Sequence, residues 1–165
     1  RSDATSTASP VQSGSGGPLV RAEVRPLTLA DLAAVAEYDA RAFGTDRAHI
    51  LRALFEGHPD ACVVSERGGR VRGYALSRPG ARARHLGPLV ADDAATAAGL
   101  ARAALLRHPG AEALMDVVTP NAAAVALAGQ LGLASVRPFT RMTRGAPPPT
   151  PDLGRLYTSA GPELG

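Results

Sequence analysis

The sequence predicts a mixed α/β (α+β) fold, in which one sheet of six or seven strands carries helices on both faces. Short apolar runs typical of strands alternate with amphipathic runs typical of helices along residues 19–145. The turn Arg67-Gly68-Gly69-Arg70 joins two strand-like runs and is typical of a hairpin. A helix-sized segment separates the fourth strand from the fifth, and a crossover of this kind makes two strands parallel.

Local signals along the chain predict where each element lies. Helices are expected to begin after residues with a capping oxygen, namely Thr28, Thr45, Asp92 and Thr119. Before, between and after them, strands are expected at 20–25, 61–65, 71–76, 82–91, 113–118, 133–136 and 139–143.

Gly87 and Pro88 interrupt the expected fourth strand. Glycine weakens strand pairing and proline cannot donate a hydrogen bond to a neighbouring strand, so a bulge or a strand paired on one side only is expected there. We therefore expect strands four and five to run parallel and to splay apart.

The composition predicts one domain with its own core. Hydrophobic residues make up 45% of the 165 residues, which excludes a disordered protein. The sequence contains no run of 18 apolar residues and no signal-peptide pattern, so we expect no membrane span. A single cysteine, Cys62, cannot form an internal disulfide, and this favours a cytoplasmic location.

Both ends of the chain differ from this domain in composition. Residues 1–18 are rich in Ser, Thr, Gly and Ala, which predicts a flexible linker. Residues 146–165 begin with a proline spacer and continue as an apolar-containing tail. We expect this tail to dock on the domain or on a preceding unit, with Tyr157 and Leu164 as anchors.

The charge pattern does not indicate nucleic-acid binding. The net charge is +3, and all 18 basic residues are arginines. These arginines are scattered among acidic residues without an aromatic platform, so a genome rich in G and C explains them better than a basic binding surface. His49, His58 and His108 fall in different elements without metal-ligand spacing, so no metal site is expected.

Several segments taken together resemble the GNAT superfamily of acetyl-CoA-dependent N-acetyltransferases. The run 24–32 looks like that family's first strand and helix, and Asn121 with the helix after it looks like its strand-five-to-helix-four segment. Other segments are similar to the second GNAT unit of bacterial tandem-GNAT proteins: 42–44, 86–90, 139–142 and 161–165. The resemblance implies a GNAT fold, acetyl transfer from acetyl-CoA, and a small-molecule or peptide amine as the acceptor.

The resemblance also implies which residues would hold acetyl-CoA. The backbone of strand four at Leu89, Val90 and Ala91 would contact the cofactor, and Asn121 matches a residue that often contacts the pantetheine arm. A polar residue in the first turn of a helix is an equally good interpretation of Asn121.

The sequence departs from the family pattern at two places. The turn after strand four, which carries an arginine or glutamine and two glycines in the family, has Ala95, Thr96 and Ala98 here. Asp92 and Asp93 add negative charge beside it, although both also suit a helix cap. The family's general-acid tyrosine corresponds to Ala128, which cannot transfer a proton. We therefore expect acetyl-CoA binding to be weak or absent.

Three hypotheses follow from these departures. The chain is the sequence-degenerate half of a two-domain acetyltransferase, with a preceding GNAT domain or a homodimer partner. Alternatively, it is a working N-acetyltransferase that binds acetyl-CoA by backbone contacts, or a non-catalytic interaction or dimerisation module.

No catalytic residue can be assigned from the sequence. His85, on strand four, lies where such enzymes often keep a base for the amine, but it also suits a surface or satisfied histidine. Asp116, on strand five, suits either a substrate cleft or a pair with an arginine.

Overall fold

One mixed sheet organises the molecule, whose computed structural model describes residues 23–140, 142, 145, 149–161 and 164. The sheet has six strands in the order β1-β2-β3-β4-β5, with β6 added beside β4. The strands are β1 (Glu23–Pro26), β2 (Val63–Arg67), β3 (Arg70–Pro79), β4 (Arg84–Ala91), β5 (Ala113–Leu114) and β6 (Leu156–Thr158). The helices of this part of the chain are α1 (Leu32–Phe43), α2 (Ala48–Gly57), α3 (Ala94–Leu106) and α4 (Ala122–Gln130). The predicted fold class is confirmed.

The predicted hairpin joins β2 to β3. Its central residues, Gly68 and Gly69, have φ angles of 58° and 70°, as a tight hairpin turn with two left-handed positions requires. Each strand from β1 to β4 pairs antiparallel with the next one along the chain.

The predicted bulge lies at Gly87-Pro88. Ala75 on β3 pairs with Leu89, whereas Ser77 pairs with Leu86, so two residues of β4 face a single residue of β3. The prediction from Gly87 and Pro88 is confirmed.

β4 and β5 are paired only where they begin. The parallel register joins Arg84 to Ala113 and His85 to Leu114. Beyond these pairs the two strands diverge, and β6 runs antiparallel along the second half of β4. The splayed parallel pair is therefore confirmed.

Apolar side chains form a core on each face of the sheet, because successive strand residues point to opposite faces. α1 and α2 contribute Val35, Tyr38, Leu51 and Phe55 to one core, against residues such as Tyr74 and Val90. α3 and α4 contribute residues such as Leu100 and Leu127 to the other, against Leu86 and Leu89. β6 serves both cores, since Leu156 belongs to the first and Tyr157 to the second.

Several helices begin at residues other than the predicted ones. Asp93, not Asp92, caps α3, and Asn121, not Thr119, caps α4. α2 begins at Ala48, whose N–H donates to Asp46, so Thr45 is not its cap. These neighbouring residues have similar capping propensity, and the point where the preceding backbone leaves the sheet selects among them.

The first helix is preceded by a short turn of 3-10 helix. Thr28, predicted as a cap, forms a capping box with Asp31, whose carboxylate accepts from the Thr28 N–H at 2.8 Å. The α-helix itself begins at Leu32.

The prediction of two strands directly after α4 is wrong for the residues that the structure describes. Residues 133–140 form no strand, and Val136 and Phe139 are exposed. The last strand is formed instead by Leu156–Thr158, whose side chains enter both cores. Residues 1–22, 141, 143, 144, 146–148, 162, 163 and 165 lie outside the described part, as do the linker and parts of the predicted strands and tail that fall on them.

Candidate functional site

The candidate site is the gap where β4 and β5 diverge, and β6 lies in it. On the β4 side, Leu89 pairs with Thr158 and Val90 with Leu156. The Ala91 N–H donates to the Arg155 carbonyl at 3.0 Å. The three β4 residues expected to contact a cofactor through their backbone are thus paired with the chain's own C-terminal segment.

The same segment is bonded to the chain that continues β5. The Val118 N–H donates to the Tyr157 carbonyl at 3.0 Å, and the Ser159 N–H donates to the Asp116 carbonyl at 2.9 Å. A further bridge joins Val117 to Thr158. β6 therefore lies between β4 and the extension of β5, with partners on both sides.

Asn121 holds the segment through its side chain. Its Oδ1 accepts from the N–H groups of Ala123 and Ala124, which caps α4. Its Nδ2 donates to the Gly154 carbonyl at 3.2 Å and to the Leu156 carbonyl at 3.0 Å. Asn121 is a helix cap, as one interpretation predicted, and its amide also binds the backbone that fills the gap.

The N-terminus of α3 is capped by a carboxylate. Asp93 Oδ1 accepts from the Thr96 N–H at 2.8 Å, and this hydrogen bond lowers the pKa of Asp93. N–H groups at a helix N-terminus attract anions because of their partial positive charge. Here the chain's own carboxylate takes that place, on the turn that departs from the family pattern at Ala95, Thr96 and Ala98.

Asp92 belongs to a polar cluster rather than to the helix cap. Its carboxylate lies 3.1 Å from Arg72 Nη1 and 3.6 Å from Arg155 Nη2. The Tyr38 hydroxyl donates to Asp92 at 2.9 Å, and burial together with this carboxylate raises the pKa of Tyr38. Arg155 thereby ties the segment before β6 to the end of β4.

His85 and Asp116 form a pair at the other end of the gap. His85 Nε2 lies 2.9 Å from Asp116 Oδ2, so the side-chain partner that the structure shows for Asp116 is a histidine. His85 Nδ1 is enclosed and has no hydrogen-bond partner among the described residues. The imidazole therefore has no nitrogen open to an incoming amine in this state.

A model of the acetyltransferase (GNAT) domain family matches residues 35–158 of the 165. The chain belongs to the GNAT acetyltransferase domain family. No curated protein matches it.

Solved structures share the fold of this GNAT domain at low identity. TTHA1254 from Thermus thermophilus is 18% identical with a TM-score of 0.55, over 74% of this chain and 96% of that one. A transcriptional regulator from Bacillus halodurans is 16% identical with a TM-score of 0.50, over 75% and 100%. YhbS from Escherichia coli, a GNAT family N-acetyltransferase solved in complex with CoA, is 22% identical with a TM-score of 0.46. That alignment covers 56% of this chain and only 58% of the YhbS chain.

The strand β6 of the GNAT domain was not predicted from the sequence. The run Leu156-Tyr157-Thr158 has the β-branched and aromatic character of a strand, and this was the available signal. Because this run follows the proline spacer, it was interpreted as part of a tail. The structure shows that it pairs with the edge of β4 that β5 leaves free.

The described part of the GNAT domain contains neither a cluster of metal-ligand side chains nor a helix that could span a membrane. Its histidine, cysteine and acidic side chains form no group of three that could hold a metal ion. None of its helices is long and apolar enough to cross a membrane.

Proposed function

We propose that this GNAT domain is the sequence-degenerate half of a two-domain N-acetyltransferase that transfers an acetyl group to a small-molecule or peptide amine. In this proposal the domain has a lost or very weak acetyl-CoA site, and a preceding GNAT domain supplies a competent one. The arrangement corresponds to the second unit of the tandem-GNAT proteins that the sequence resembles. Residues 19–145 with the tail form this unit, and residues 1–18 form the connection to its partner.

One observation carries the proposal: the Asp93 carboxylate caps the N-terminus of α3. Two like charges about 4 Å apart repel by about 1 kcal/mol in water and about 4 kcal/mol at an effective dielectric of 20. Asp93 is exposed, so the lower figure applies for each phosphate charge. The helix dipole attracts an anion by only about 0.3–1 kcal/mol. The attraction therefore at best balances the repulsion, so this turn contributes no net binding free energy for a diphosphate.

The remaining side chains at this site support the same proposal. Ala128, at the position of the family's general acid, has no proton to donate to a departing thiolate. His85 Nδ1 is enclosed, and its other nitrogen is held by Asp116. The residues present do not fit acetyl-CoA, so we derive no acyl-transfer step within this domain.

A titration tests the lost diphosphate site. We expect calorimetry of the intact chain with acetyl-CoA to show no binding in the micromolar range. Asp93→Ser keeps a capping oxygen but removes the charge, so it separates electrostatics from helix stability. We expect Asp93→Ser to bind ADP, which carries a diphosphate without the pantetheine arm, more tightly at low salt than at high salt. Micromolar binding of acetyl-CoA by the intact chain contradicts the proposal.

The two-domain arrangement has a separate test. An intact GNAT unit with the arginine-glycine turn, encoded directly upstream of residue 1, supports it. Acetyl transfer to amines by the chain alone, at rates usual for an enzyme, contradicts it.

A further inference from the structure

We propose that residues 155–159 are a built-in occupant of the gap between β4 and β5, and that this gap is a groove for an extended, amide-bearing chain. The segment excludes the acyl-carrier arm of acetyl-CoA by holding the same backbone groups. That the acyl-carrier arm would bind in this gap rests on the proposed function. That the gap is filled by residues 155–159 rests on the contacts of β6 alone.

The hydrogen bonds of the segment are those of a central strand. The Arg155 carbonyl accepts from the Ala91 N–H on one side of the gap, and the Tyr157 carbonyl accepts from the Val118 N–H on the other side. The Ser159 N–H donates across the gap to the Asp116 carbonyl. A ligand that lies along β4 needs the groups that β6 already uses, so the two cannot bind together.

The side chains of the segment leave no room beside it. Leu156, Tyr157, Thr158 and Ala160 are at most 5% exposed. Leu156 fills the core under α1 and α2, and Tyr157 fills the core under α3 and α4. Any other occupant must therefore displace the segment rather than share the groove.

Gly87 shows how closely the segment approaches β4. A Cβ at Gly87 would lie 2.0 Å from the Ser159 carbonyl oxygen, which is a backbone atom and cannot rotate away. Gly87 does not have a left-handed φ, so its backbone conformation suits alanine. The added Cβ would also lie 2.9 Å from His85 Cε1, but a side chain can shift whereas the Ser159 backbone cannot. The close approach of Ser159 therefore explains why a residue without a side chain occupies position 87.

The backbone pairing also defines the chemistry that the groove accepts. Main-chain groups of β4 and of residues 116–118 bind alternating amide donors and acceptors, and the Asn121 amide binds carbonyls. Pantetheine is an uncharged, extended chain with two amides, and it lacks the diphosphate that Asp93 repels. It is therefore the probe that reports on the groove alone.

Two matched pairs of variants in the full chain test the inference. Ser159→Pro removes the N–H that donates to Asp116, whereas Ser159→Ala keeps it. Gly87→Ala places a methyl group against the Ser159 carbonyl, whereas Gly129→Ala adds one where nothing lies within 4 Å. We expect amide hydrogen exchange of residues 155–158 to rise about tenfold or more in Ser159→Pro and Gly87→Ala, and to stay unchanged in the two controls.

Binding of pantetheine gives the second measurement, by NMR titration. We expect Ser159→Pro to bind pantetheine about tenfold or more tightly than Ser159→Ala, because apparent affinity scales with the fraction of open grooves. The inference is overturned if Ser159→Pro frees the segment, keeps the remaining fold and still binds no pantetheine. It is also overturned if neither Ser159→Pro nor Gly87→Ala speeds exchange of the segment.

The probes separate this inference from the proposed function. Tight acetyl-CoA binding by the intact chain contradicts the lost site. Binding of ADP by Asp93→Ser without any pantetheine binding by Ser159→Pro supports the lost diphosphate site and overturns the filled groove.

Discussion

Truncation of Tyr157 should reveal how much β6 contributes to stability. The side chain is 2% exposed and lies in the core formed with α3 and α4. An aromatic side chain buries about 150–250 Å². At about 25 cal/mol per Å² this corresponds to roughly 4–6 kcal/mol as an upper estimate. Aromatic-to-alanine changes in cores cost about 3–5 kcal/mol. We therefore expect Tyr157→Ala to lower the free energy of unfolding by about 4 kcal/mol, or the melting temperature by about 10 °C.

Urea unfolding and amide exchange measure this effect together. Tyr157→Phe keeps the ring, so we expect it to stay within about 1 kcal/mol of the parent chain. Leu153→Ala changes a residue that precedes the segment and is 38% exposed, and serves as the second control. In Tyr157→Ala, exchange of residues 155–159 should rise more than that of β3. A loss below about 1 kcal/mol with unchanged exchange refutes the assignment of β6 as a core strand.

Three further predictions concern buried and charged groups. Asp39 accepts from Arg47 Nε at 2.7 Å and from the Tyr74 hydroxyl in the core, so Asp39→Ala should cost about 3–5 kcal/mol in urea unfolding, and Asp39→Leu combined with Arg47→Met and Tyr74→Phe should recover most of it; equal stability of the parent chain and both variants contradicts this. Burial raises the pKa of the Cys62 thiol to about 11, so iodoacetamide at about pH 8 should modify it only after unfolding, and rapid labelling of the native chain would show an exposed thiol. The Thr96 N–H lowers the pKa of Asp93, so this carboxylate stabilises the fold above its ordinary pKa of about 3.9, and that contribution is lost as the pH falls through the lowered value. Asp93→Asn should flatten the fall in melting temperature below about pH 4, and an identical acid profile would exclude this contribution.

Local chemistry made much of the fold predictable. Gly68 and Gly69 require a tight turn wherever the chain goes, and Gly87 with Pro88 disrupts any strand that contains them. The alternation of apolar runs predicted the mixed sheet, and the missing turn glycines and the alanine at position 128 identified the departures from the family pattern. These features depend on neighbouring residues only, so the sequence was sufficient to find them.

The candidate site was predictable only in part. Leu89, Val90, Ala91 and Asn121 were expected to contact a cofactor, and the structure brings all of them together around one extended chain. The tail was expected to dock with Tyr157 as an anchor, but neither the strand around Tyr157 nor its place in the gap could be read from the sequence. Nor could the sequence choose between Asp92 and Asp93 as the cap of α3, because both residues have the required carboxylate.

The amino-acid sequence by itself indicated the family, most of the element types and the departures from the family pattern in the turn after strand four. Only the tertiary structure decided which late segment becomes a strand. Runs 133–136 and 156–158 both have strand propensity, but a strand forms only where a partner edge has free backbone groups and where the side chains find cores on both faces. Leu156 and Tyr157 meet that condition beside β4, because β4 and β5 diverge there and leave a gap one strand wide.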